Sequence, residues 1–213
     1  MTLGGYGGYI TFHFDHPVRN VHGQYDLLIR GNYVAGASEP GIVLVSQDLN
    51  GNGLPDDPWY ELSGSADTDS VGKVVYGYEI TYHPAPMSDI PWTDNQGKRG
   101  VVACNKYHTQ EYYPLWIHTP LTFRGTLLPP NAHNRGKDGA QNWLLESFRY
   151  GYVDNSADDA GCSFDLDWAV DDQRRPVRLD HIDFVRVYSA ENQQCGWLGE
   201  TSTEIRGAKD LHP

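Results

Sequence analysis

Positive charge is scarce in this chain. Its 213 residues carry 16 Lys and Arg against 28 Asp and Glu, a formal net charge of −12. Such a surface repels nucleic acid and anionic membranes, and it suits cations and neutral ligands such as sugars. Cysteine is scarcer still: Cys104, Cys162 and Cys195, with no CxxC. An odd count excludes a fully paired disulfide framework within the chain, and leaves open one Cys162–Cys195 pair or three buried thiols. No apolar run approaches the ~18 residues of a membrane helix. No secretory leader is legible, but the strand pattern starts within the first residues, so the natural N-terminus is expected upstream. Recurrent catalytic motifs are missing: there is no HExxH, GxSxG or Walker loop. The histidines show no zinc spacing. Gly4-Gly5-Tyr6-Gly7-Gly8 precedes no helical pattern, so it reads as an edge strand or a close backbone approach rather than a phosphate cradle.

What is abundant is aromatic and turn-forming. Tyr (14), Trp (6), Gly (23) and Pro (13) suit strands and tight turns better than helices. Apolar residues recur with period two. Ile10, Phe12 and Phe14 share a face, as do Tyr25, Leu27 and Ile29, and Tyr76, Tyr78, Ile80 and Tyr82. Cys162, Phe164, Leu166, Trp168 and Val170 alternate strictly. Ile42–Ser46 is a continuous apolar run, the mark of a strand covered on both faces. Val101–Cys104, Tyr113–Ile117, Leu121–Leu127 and Ile182–Tyr188 read as further strands. Asp67–Lys73 and Ser88–Arg99 read as long surface loops, and Gln141–Tyr150 as a helix or a strand. The expectation is an all-β fold: one antiparallel β-sandwich or jelly-roll domain over residues 1–213, with about nine strands and long loops.

The most specific motif runs Asp48-Leu49-Asn50-Gly51-Asn52-Gly53-Leu54-Pro55-Asp56. Side-chain oxygens fall at relative positions 1, 3, 5 and 9, and position 7 offers its carbonyl. In a tight turn these donors converge, and all are hard oxygens, so Ca2+ is the expected cofactor. The ligands would be Asp48, Asn50, Asn52, the Leu54 carbonyl and Asp56. Position 12, a bidentate Glu in an EF-hand, is Trp59, and the flanks read as strands. The competing interpretation is an Asn-Gly hairpin that binds nothing. A second acidic series, Asp154, Asn155, Asp158, Asp159, Asp165, Asp167, Asp171 and Asp172, reads as a solvated strand face and a turn rather than a metal site.

Loop-borne aromatics point to a ligand with flat or amphipathic faces. Trp92, Tyr112, Tyr113 and Trp116 are the candidate platform. Trp92 lies in the polar Ser88–Arg99 segment, and the others border Pro114. The expected activity is capture of a small-molecule nutrient without transformation, with a glycan as first ligand. The alternative is a polysaccharide hydrolase, for which a cleft with two carboxylates about 5–10 Å apart would be required. Glu39, Glu61, Glu111 and Glu146 are scattered and mark no such pair.

Several stretches resemble a family of Bacteroidetes cell-surface proteins. These are Leu3–Gly8 with Phe14–Val18, Ser38–Val43, Asp48–Leu62, Tyr112–Trp116, Ile182–Tyr188 and Gly196–Glu204. The resemblance spans nearly the whole chain, and Asp48–Leu62 is its most specific part. It implies an extracellular place on the bacterial cell surface, in a longer protein often carrying PKD-like domains. Similar proteins sit in nutrient-uptake systems for glycans or cobalamin, so a cobamide ligand and an outer-membrane uptake complex are the further implied partners. The resemblance assigns no catalytic residue.

Overall fold

The computed structural model describes residues 1–104 and 113–213. It is all-β. Its strands are β1 (Tyr9–Arg19), β2 (Leu27–Arg30), β3 (Gly41–Ser46), β4 (Trp59–Leu62), β5 (Val75–Tyr82), β6 (Ile90–Asp94), β7 (Arg99–Val102), β8 (Leu121–Leu127), β9 (Ala132–Asn134), β10 (Trp143–Leu145), β11 (Ser163–Phe164), β12 (Ala169–Val170), β13 (His181–Ser189) and β14 (Gly207–Asp210). Helical structure among the described residues is limited to single 3₁₀ turns, so no helix there is long and apolar enough to cross a membrane.

The central sheet runs β1-β13-β3-β4-β12, all antiparallel. A three-stranded sheet, β11-β2-β14, packs against one of its faces. Between them lies the main core, where Leu27 and Ile29 of β2 meet Val43 and Val45 of β3 and Val185 and Val187 of β13. On the opposite side of β3, Ile42 and Leu44 join Tyr188, Leu128, Phe148 and Tyr152 in a second core. The apolar run of β3 is therefore covered on both faces, as the sequence implies. A four-stranded sheet, β7-β6-β5-β8, carries a third, aromatic-rich core built on Tyr78, Ile80 and Tyr82. It joins the central sheet through Tyr188, whose hydroxyl accepts from the Thr126 amide at 2.9 Å. Gly125 makes this approach feasible, because a β-carbon there would lie 2.6 Å from the Tyr188 ring.

Four segments differ from the sequence reading. Cys162–Val170 is not one strand: β11 pairs with β2, and β12 pairs with β4 in the central sheet. Between them a 3₁₀ turn, Leu166–Trp168, is capped by the Asp165 carboxylate. The alternation survives because the apolar side chains stay inside while the backbone crosses from one layer to the other. Ser88–Arg99 holds strand β6 and the turn into β7, not a loop; Pro91 and Thr93 face outward from β6, and that proline with the polar flanks hides the strand. Tyr113–Ile117 forms a turn after Pro114 instead of a strand. Gln141–Tyr150 holds only the short strand β10. Cys162 and Cys195 are separate buried thiols.

Candidate functional site

The loop from Asp48 to Asp57 connects β3 to β4 and closes on itself. The Asp48 carboxylate accepts from the Asn52 amide (3.1 Å) and the Gly53 amide (2.8 Å). Asp56 receives the carboxamide N–H groups of Asn50 (3.1 Å) and Asn52 (3.0 Å). Gly51 and Gly53 adopt φ of 69° and 71°, which side-chain-bearing residues rarely take. The two Asn contacts hold the Asp56 carboxyl below its usual range. The side chains of Asp48, Asn50, Asn52 and Asp56 thus gather in one turn, with Leu54 on its rim. Asp183 of β13 anchors the start of the loop by accepting from the Asp48 amide at 2.7 Å.

The strand that leaves this loop presents a cavity. Tyr60 packs against, and Leu62 lies within, the main core, so Trp59 and Glu61 point to the opposite face of the central sheet. There a cavity of about 290 Å³ opens between β4, β5, β8 and the turn at residues 171–174. Glu61 is at its base, with 16% of its side chain exposed. Its carboxylate accepts from the Thr126 hydroxyl at 2.6 Å and from Arg174 Nη1 at 2.9 Å. Arg174 Nη2 also donates to Asp67 and Ser63, each at 2.7 Å. The guanidinium lies 3.9 Å over the Tyr76 ring. These partners hold Arg174 at φ 62°, an uncommon conformation for a residue other than glycine. Trp59 is stacked from behind by Arg186, 4.1 Å from its ring centre. Burial pushes the Glu61 carboxyl up, while Thr126 and Arg174 pull it back. Asp172 and Arg124 complete the rim. The cavity therefore offers two aromatic rings and several fixed, charged hydrogen-bonding groups.

The expected aromatic platform is not assembled as one surface. Tyr112 lies outside the described residues. Trp92 is in β6 and lines a separate cavity beside β5. Tyr113 is 3% exposed, and its hydroxyl donates to the Thr119 carbonyl, so it is a core residue. Trp116 is 81% exposed. Trp59 and Tyr76, which line the cavity, are not among the aromatics that the sequence singles out. The available signal was the alternation of Trp59 and Glu61 directly after the calcium-type loop.

The acidic series is also redistributed. Asp154 and Asn155 are fully buried rather than solvated. Asn155 bridges Ser38 and the Phe148 backbone. Asp154 accepts from the amides of Asn32 and Glu204, and its carboxylate comes together with those of Glu39 and Glu204, all within 4.8 Å. Burial pushes Glu39 up to about 7 and Asp154 up to about 6. Three segments far apart in the chain build this cluster, so spacing could not reveal it. Asp158, Asp165 and Asp167 serve turns, and Asp159 and Asp171 pair with Arg30 and Arg175.

A scan against protein-family models finds no match for the chain, and a search of curated proteins finds no similar sequence.

Proposed function

We propose that the chain is a calcium-binding module of a bacterial cell surface that captures a saccharide, without transforming it, in the cavity between Trp59, Tyr76, Glu61 and Arg174. The observation that carries this reading is the cavity itself. Its aromatic rings suit the apolar faces of a sugar, and its immobilised Arg and carboxylate groups suit hydroxyls. Capture is favoured over hydrolysis because, of the carboxylates that line the cavity, Glu61 is committed to Arg174 and Asp171 to Arg175, which leaves only Asp172. A glycosidase needs one carboxyl free to protonate and another free to attack or to activate water.

Calcium belongs to the same reading. Its ligands are Asp48, Asn50, Asn52, the Leu54 carbonyl and Asp56. A cation seated among them takes the place of the two carboxamide N–H groups now facing Asp56. Because Trp59 is the first residue of β4, a loop tightened by calcium fixes the aromatic wall of the cavity. The cell-surface location rests on the resemblance of Asp48–Leu62 and the flanking stretches.

The test is calorimetry of the chain with calcium against a panel of neutral glycans, with cobalamin as a separate arm. Micromolar binding of a glycan, weakened roughly five- to thirtyfold in Trp59→Ala, supports the reading. Binding of cobalamin alone replaces the saccharide by a cobamide. Turnover of a glycan, abolished by Glu61→Gln, overturns capture in favour of hydrolysis.

A further inference from the structure

A second cavity carries a different chemistry. It measures about 570 Å³, within the range of ligand-sized clefts, and is lined by β5, β6 and β8 of the four-stranded sheet. Lys73 and Lys98 both line it. The sequence has only five lysines, so two of them on one cavity is a local concentration of positive charge in a chain of net charge −12. Neither makes an ion pair among the described residues, whereas most of the arginines are paired or stacked.

The groups around these lysines are held in place. Asp94 accepts from the amides of Gln96 (3.0 Å) and Lys98 (2.7 Å), which fixes the β6–β7 turn that carries Lys98. Asn95 pins the same turn to β5 by donating to the Gly77 carbonyl at 2.9 Å. On the opposite wall Asn192, in a left-handed backbone conformation, donates to the Tyr78 hydroxyl at 3.0 Å. Gln194 donates to Asn192 at 2.7 Å. The carboxamides are thereby oriented in advance, which reduces the entropy lost on binding. Trp92 and Asp94 also belong to the wall, and the Asp94 carboxylate lies beside the Tyr78 hydroxyl, whose pKa burial and that carboxylate both raise.

We infer that this cavity is a binding site for an anionic saccharide, its acid group between Lys73 and Lys98 and its hydroxyl-bearing ring against Trp92, Asn192 and Gln194. The overall charge of the protein repels an anion at long range, so recognition depends on these two ammonium groups at short range. As point charges on flexible stems, they accept a carboxylate or a sulfate ester alike. The site shares no lining residue with the Trp59 cavity.

The test is titration calorimetry of the whole chain, and of its Trp59→Ala variant, with digalacturonate, a sulfated lactose and lactose. In the Trp59→Ala background at least one acidic probe is expected to bind at least about tenfold more tightly than lactose, the affinity falling as salt rises. Lys73→Ala with Lys98→Ala should remove that tenfold preference while leaving the circular dichroism spectrum unchanged. Which acidic probe binds identifies the anion. Equal affinity for lactose and the acidic probes, binding that survives the double substitution, or no binding of either anion overturns the inference. Weakened neutral glycan binding in Trp59→Ala with retained lysine-dependent binding separates failure of one site from failure of the other.

Discussion

At the residue scale, Arg174 decides how the main cavity holds together. One guanidinium satisfies Glu61, Asp67 and Ser63 and covers the Tyr76 ring. Removing it strands two partly buried carboxylates. Arg174→Ala is expected to lower stability by about 1–3 kcal/mol at neutral pH, a figure kept below that of fully buried pairs because both partners keep some solvent contact. Urea unfolding measures it. The deficit should shrink on acidification, because a protonated Glu61 no longer needs the counter-charge. Trp59 has a different part, since its ring is a wall of the cavity and Arg186 stacks on it. Trp59→Ala should weaken saccharide binding by about 1–2 kcal/mol, roughly five- to thirtyfold, and an unchanged affinity would remove Trp59 from the site.

At the element scale, the β3–β4 connection is both the proposed metal loop and the support of the cavity wall. Calcium should raise the melting temperature by mass action, and Asp48→Ala should abolish the rise. Differential scanning calorimetry with calcium and with chelator tests this; identical curves, with no metal by elemental analysis, reduce the loop to a hairpin. The junction between the central and four-stranded sheets rests on the Tyr188 hydroxyl, buried against the Thr126 amide. Tyr188→Phe leaves that amide without a partner and should cost about 1–3 kcal/mol in chemical unfolding.

These elements differ in how far the sequence alone reveals them. β3 is legible because its unbroken apolar run leaves no polar face for solvent. The turn of the calcium-type loop is legible because its oxygen-bearing side chains lie close together in sequence. β6 is hidden by outward polar residues and by Pro91, and the step from β11 to β12 is hidden because a capped 3₁₀ turn keeps the apolar alternation of two strands. The Trp59 cavity and the Glu39–Asp154–Glu204 cluster are beyond spacing arguments. Their members come from segments that meet only when the sheets pack.

At the scale of the whole molecule, buried acids set the response to pH. Burial raises Glu39 to about 7, Asp154 to about 6 and Glu191 to about 8. In each case the folded chain binds its proton more tightly than the unfolded chain does. His16 is also raised, by its hydrogen bonds to Asp15 and Asp210. Between about pH 4 and pH 8 the folded state therefore holds more protons, and stability falls as pH rises through that window. Melting temperatures measured in metal-free buffer should decline from pH 5 to pH 8, and a rise over that range would mean these carboxyls are ionised and compensated in the fold.

The central claim, capture of a saccharide by a cavity that calcium helps to order, has one direct measurement. Isothermal titration of the whole chain with the best-bound neutral glycan, in calcium and then in chelator, reads both parts together. The account predicts micromolar binding in calcium, weaker binding in chelator, intact glycan recovered afterwards, and binding by Trp59→Ala weakened roughly five- to thirtyfold. Cleaved glycan, or binding indifferent to both calcium and Trp59, would contradict it.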